Sequence, residues 1–207
     1  VLAVGVLLAF TLSMSISRHE TRRQLVLEEA NSIGTTYLRA KLLPAPDATD
    51  AAQLLRQYVT NRIGFFSAGI DQARLEADNA EAVQLQSQLW AIAQAASAQD
   101  NRSISIGLFV QALNDTIDLQ ATRLAAFQNR VPETVIWLLL AVAVATVGVV
   151  GYNNGLGNRR HAFGALTLIV LITIIIWVII DIDRPRRGLI QVSQQSMIDL
   201  RDFITRD

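Results

Sequence analysis

Residues 132–152 read PETVIWLLLAVAVATVGVVGY, and residues 162–180 read AFGALTLIVLITIIIWVII. Each run has about 20 residues, or roughly 30 Å as a helix, the thickness of a bilayer's hydrocarbon core. Neither run has a charged residue between Thr134 and Val150 or between Ala162 and Ile180. Backbone left unpaired in lipid is costly, so both arms are expected to be helices. Asn153, Asn154, Gly155, Gly157 and Asn158 make a neutral, flexible reversal between them. Trp137 starts the first arm and Trp177 ends the second. An antiparallel hairpin puts both rings at one membrane interface, where tryptophan is favoured. The two arms set the fold class: an all-α integral membrane protein.

Composition excludes several functions. The 18 basic and 18 acidic residues cancel, so no positive excess marks a nucleic-acid partner. Cysteine is absent, which removes disulfides, thiol catalysis and thiolate metal sites. His19 and His161 stand on separate segments, so no metal site and no cofactor is expected. No nucleophile–base pair or phosphate-cradling glycine loop occurs, so no catalytic residue is assigned and the protein is not expected to be an enzyme. Lys41 is the only lysine, the other cations being arginines.

Outward from the hairpin, residues 1–16, VLAVGVLLAFTLSMSI, form a third apolar segment. It is short for a span, and SRHETRRQ follows it instead of a small-residue cleavage site, so a membrane helix begun further upstream is expected. This helix continues through the membrane surface to about Leu42, where Pro44 and Pro46 stop it. Residues 17–131 then read as amphipathic helices: 47–68, capped at Asp47 or Thr49, then 71–98 and 103–128. Residues 132–180 are the hairpin. Residues 181–207 are a turn, DIDRPRRGLIQVSQQ, and a short amphipathic helix from Ser193 to Ile204. Arg18, Arg22, Arg23, Arg130, Arg184, Arg186 and Arg187 lie at one membrane face, and Arg159 and Arg160 at the other. The positive-inside rule places 17–131 and 181–207 in the cytoplasm.

Six stretches carry a resemblance: LLAF at 7–10, EANSIGTTYLRAKLLP at 29–44, LLRQYVTNR at 54–62, ALNDTID at 112–118, VPETVIW at 131–137 and DIDRPRRGLIQVSQQ at 181–195. In this order the chain resembles the bestrophin-like domain family of bacterial membrane proteins. Such proteins carry a further membrane helix upstream. The family is distantly similar to bestrophins, which are oligomeric anion channels. The resemblance implies a homo-oligomeric, multi-pass channel of the bacterial inner membrane, with the lipid bilayer and inorganic anions such as chloride as partners. The alternative is a non-conducting scaffold or signalling protein whose cytoplasmic helices bind a partner. The acidic run of a bestrophin calcium clasp is missing; Asp181 and Asp183 alone replace it poorly.

Three groups of residues are candidate sites. Glu29, Asn31, Arg56, Arg62, Asn114, Asp118 and Arg123, with Arg39 and Tyr58, form a cytoplasmic polar network: either a ligand or ion site, or paired charges that fix helix packing. Asp181, Asp183 and Arg184 form an interfacial clamp, because carboxylates at a helix C-terminus oppose its dipole and need a partner, with Arg186, Arg18 and Arg22 in range. Thr11, Ser15, Arg18 and Arg22 are spaced i, i+4, i+7 and i+11, one helix face that could line a passage. Ala3, Leu7 and Phe10 lie on another face and give an apolar constriction if the helix is rotated instead. Ala141, Ala145 and Gly148 allow a close helix contact, within the chain or between copies.

Overall fold

The computed structural model describes residues 2–156, 162–184 and 188–206, and all its regular elements are helices. They are α1 (Leu2–Ala40), α2 (Asp47–Ser67), α3 (Gln72–Gln99), α4 (Ile104–Gln128), α5 (Glu133–Leu156), α6 (Ala162–Asp183) and α7 (Gln195–Arg206). The protein is an all-α membrane protein in which α1, α5 and α6 are long and apolar enough to cross a bilayer.

The chain forms two compact units. One comprises Val1–Glu20 and Asn129–Gln191, and the other Thr21–Gln128 and Val192–Asp207. α1 contributes its first half to the former and its second half to the latter.

In the first unit Val4 and Leu8 of α1 pack with Leu139 and Ala143 of α5 and Ile172 and Ile179 of α6. Most remaining apolar side chains point outward, among them Val144, Phe163, Ile174, Trp137 and Trp177. In water so large an apolar surface would drive association; lipid tails cover it without cost. Ala141, Ala145 and Gly148 are exposed, so they serve no contact inside this unit.

In the second unit the apolar stripes converge as their 3.6-residue spacing requires. Ile33 and Tyr37 of α1, Leu55 and Tyr58 of α2, Leu89 of α3, Phe109 and Leu113 of α4, and Met197 and Ile204 of α7 are all fully buried. Asp71 caps α3 by accepting the Arg74 N–H. Gly69, with φ of 60°, closes the end of α2 in a left-handed conformation open to glycine.

One cap and two helix ends differ clearly from those expected. α2 starts at Asp47, with Pro46 in the cap position and no side-chain cap; Asp47 and Asp50 instead place negative charge in its positive first turn. α5 carries its hydrogen-bond ladder through Asn153, Asn154 and Gly155, where a turn was expected. The propensity cost of such residues, about 1 kcal/mol or less each, is smaller than the cost of ending a ladder early in an apolar setting. Gly157, Asn158, Arg159, Arg160 and His161 lie outside the described residues. α6 likewise runs on through Asp183.

Candidate functional site

The most deeply buried charges belong to the second unit. Glu29 sits in the second half of α1, Arg62 near the end of α2 and Arg123 in the last turns of α4. The Arg62 Nε–H donates to Glu29 Oε1 at 2.7 Å, and Arg123 Nη1–H donates to Glu29 Oε2. Their side chains are 0–1% exposed. One carboxylate therefore ties three helices, with charge-assisted bonds at both oxygens.

Neutral groups complete the cluster. Arg123 Nη2–H donates to Gln194 Oε1, just ahead of α7. The Gln86 amide of α3 donates to the Tyr58 hydroxyl at 3.0 Å and to Gln120 Oε1 at 2.8 Å. The Phe66 ring lies 3.5 Å from Arg123 Cζ and 5.3 Å from Arg62 Cζ, presenting its negative face to both cations. Burial pushes the Tyr58 hydroxyl up to about 12, against the pull of Arg62. Burial pushes the Arg123 guanidinium down to about 10, and Glu29 is the main group holding its proton on. The cluster has charge and hydrogen-bond donors but no nucleophile paired with a base.

The other network residues lie elsewhere. Arg56 Nη2–H donates to the Tyr37 hydroxyl at 2.7 Å, and its Nε–H to the Ile204 carbonyl at 2.8 Å, tying α1 and α2 to α7. Asn114 donates to Asp118 at 3.3 Å on the exposed side of α4. Asn31, Arg39 and Asp118 line a shallow groove between α1 and α4, where Arg39 also holds the Leu108 carbonyl at 2.9 Å. The structure thus unites Glu29, Arg62, Arg123 and Tyr58, and leaves Asn31, Arg39, Arg56, Asn114 and Asp118 apart. Gln86, Gln120, Gln194 and Phe66 complete the cluster without having drawn notice in the sequence. Gln86 alone gave a signal, sitting on the buried stripe of α3 beside Leu85 and Leu89.

In the first unit the carboxylates at the end of α6 have separate tasks. The buried Asp183 accepts the Val131 N–H at 3.0 and 3.1 Å and lies 3.9 Å from Arg18 Nη1. Asp181 accepts the Leu189 and Ile190 N–H groups, each at 3.0 Å. Gly188 is needed there, since a Cβ would come within 2.6 Å of the Asp181 carbonyl oxygen. Arg184 contributes its backbone N–H, to the Asp181 carbonyl at 3.2 Å. Arg186 and Arg187 lie outside the described residues.

The faces of α1 are also settled. Thr11, Ser15 and Arg22 are buried within the protein, and Arg18 is 22% exposed. Thr11 bonds back to the Leu7 carbonyl at 2.8 Å. Arg22 Nε–H holds the Ala126 carbonyl at 3.1 Å, where the end of α4 leaves carbonyls unpaired. The opposite face is open: Leu2, Ala3, Val6, Phe10, Ser13 and Ser17 are exposed, while Leu7 is half-buried.

The sequence profile of the Bestrophin-like domain matches residues 1–197. The chain belongs to the bestrophin-like family. Its fold agrees with that assignment. A crystal structure of a bacterial bestrophin homologue from Klebsiella pneumoniae is similar, with a TM-score of 0.74 at 15% identity, over 99% of this chain and 83% of that one. A single-site variant of a Klebsiella pneumoniae homologue gives 0.73 at 14% identity, over 99% and 84%. A second variant gives 0.65 at 14% identity, over 97% and 83%. No curated relative matches the chain. At such identities the likeness is one of fold, so the bestrophin-like protein's site chemistry has to be argued from its own residues.

Proposed function

We propose that this bestrophin-like protein is one subunit of a homo-oligomeric anion channel in the bacterial inner membrane, and that it has no enzymatic activity. The observation that carries this reading is the open face of α1. Leu2, Val6 and Phe10, at i, i+4 and i+8, turn large apolar groups outward, Phe10 being 65% exposed. Ser13 and Ser17 continue the same side as small hydroxyl residues. Copies of this face around an axis make an apolar constriction that opens into a polar passage, a geometry that gates ions by dewetting. Anions are the transported class because the family's relatives are bestrophins. In this reading the second unit, with the C-terminal segment, lies in the cytoplasm, and the hairpin of α5 and α6 faces lipid.

The cysteine-free chain makes the test direct. Purified protein in liposomes is expected to pass chloride. Phe10→Ala should raise the flux, and Phe10→Cys should become blockable by an aqueous thiol reagent. Absence of protein-dependent flux, or flux indifferent to both substitutions, would reject the assignment and leave a scaffold role. For orientation, a cysteine at Asn153 should react with an impermeant reagent from outside the cell and one at Ala80 should not.

A further inference from the structure

The buried cluster of the second unit does not balance its charge. Two arginines, permanently cationic at physiological pH, meet the single carboxylate of Glu29, and all three side chains are 0–1% exposed. Among the described residues, no other carboxylate bonds to either guanidinium. The remaining polar partners, Tyr58, Gln86, Gln120 and Gln194, are neutral. Two donors are also left over: Arg62 Nη2 and Arg123 Nε are buried and carry no hydrogen bond. Buried N–H groups on native proteins find acceptors, and a buried charge without a counter-charge is among the costliest groups a core can hold. Phe66 offsets part of the positive charge through its ring face, but it supplies no lone pair for these N–H groups.

We propose that a small monovalent anion of the halide class binds inside this unit, against Arg62 Nη2 and Arg123 Nε. The charge excess is one, which sets the valence of the ligand. The side chains leave almost no surface to solvent, which favours a compact ion over a bulky oxyanion. Glu29 is fully buried, on the opposite side of α1 from the exposed Gln24 and Asn31. The anion site is structural, binding helices α1, α2 and α4 as one charge-neutral set, and it stands whether or not the protein conducts.

The test uses the full chain in detergent. Thermal unfolding is followed in chloride, bromide and gluconate at matched ionic strength. The midpoint should rise saturably with chloride and bromide and stay flat with gluconate. Arg123→Gln leaves one arginine facing one carboxylate and should weaken the halide dependence at least tenfold. A halide held in a conducting passage would instead keep its effect in that variant. Crystals grown in bromide cover the case in which Arg123→Gln does not fold: an anomalous peak is expected within hydrogen-bonding distance of Arg62 Nη2 and Arg123 Nε. A wild-type midpoint insensitive to halide, a dependence unchanged by Arg123→Gln, or an ordered water in place of bromide would each overturn the proposal.

Discussion

Glu29→Gln is the sharpest perturbation of the second unit, because it keeps the shape of the side chain and removes only its charge. The wild-type carboxylate accepts two charge-assisted hydrogen bonds, from Arg62 and Arg123. Each such bond contributes about 1.5–3 kcal/mol, and removing one partner of a buried ion pair typically costs about 3–5 kcal/mol. Here both arginines lose their counter-ion at once, while a glutamine oxygen can still accept from one of them. The net cost is therefore expected near the upper part of that range, about 4–5 kcal/mol. That is a large share of the roughly 5–15 kcal/mol that holds a typical domain together. Denaturant unfolding in detergent, followed by circular dichroism, measures it. A cycle with Arg62→Gln isolates the pair: a coupling of about 2 kcal/mol or more is expected, because the double variant leaves one arginine without a counter-charge where Glu29→Gln alone leaves two. A loss below about 1 kcal/mol, with no coupling in the cycle, would show that the three side chains do not act as a tie between helices.

Asp183→Ala should cost about 1–3 kcal/mol, since the Val131 N–H loses its acceptor and Arg18 its counter-charge; unchanged thermal stability and oligomer size would reject the clamp. Gly188→Ala forces the turn away from the Asp181 carbonyl, at a cost of about 1–3 kcal/mol, and should make the segment after α6 a faster proteolysis site; an unaltered digestion rate counts against the close approach. For Tyr58 the folded-state value is raised from 10 to about 12, so between those values the unfolded chain loses a proton that the folded chain keeps. Its stabilising contribution is full below about pH 10 and disappears as pH rises towards 12. Wild type and Tyr58→Phe should therefore converge or cross in stability over that interval, and parallel curves would show that Tyr58 does not titrate there.

The arms α5 and α6 were legible from about 20 apolar residues without a charge, and the helices of the second unit because burial acts on every turn of an amphipathic helix. Ala82, Leu85, Leu89 and Ala93 on α3, or Ile106, Phe109 and Leu113 on α4, recur at the spacing of one face and are buried as one face. The site was legible only in part. Glu29, Arg62 and Arg123 stand out as charges inside amphipathic stretches, but sequence spacing does not tell which arginine on one helix meets which carboxylate on another. Arg56 has the same character and instead serves Tyr37 and the end of α7. Gln86 gave a signal only through its place on the buried stripe of α3; Gln120 carries no charge and Phe66 falls in the last turn of α2, so neither announces a role. The Thr11–Ser15–Arg18–Arg22 stripe shows the complementary limit. Periodicity defined a face, but what that face meets is set by Ala126 at the end of α4 and Asp183 at the end of α6, both far along the chain.

Charge pairing makes two different demands in this protein, and the difference follows from burial. At the end of α6, one arginine meets one carboxylate; Arg18 keeps 22% of its side chain in solvent, and the Val131 N–H satisfies Asp183 as well. The pair is neutral and partly solvated, and so subject to ordinary salt screening, although Arg18 Nη1 itself is buried without a hydrogen bond. Around Glu29 the solvent is gone and the count is two to one. Screening cannot reach such a site, and its response should be to the identity of an anion and not to ionic strength. In the first unit, Val6, Phe10 and Ser13 of α1 stay exposed beside the Arg18–Asp183 pair.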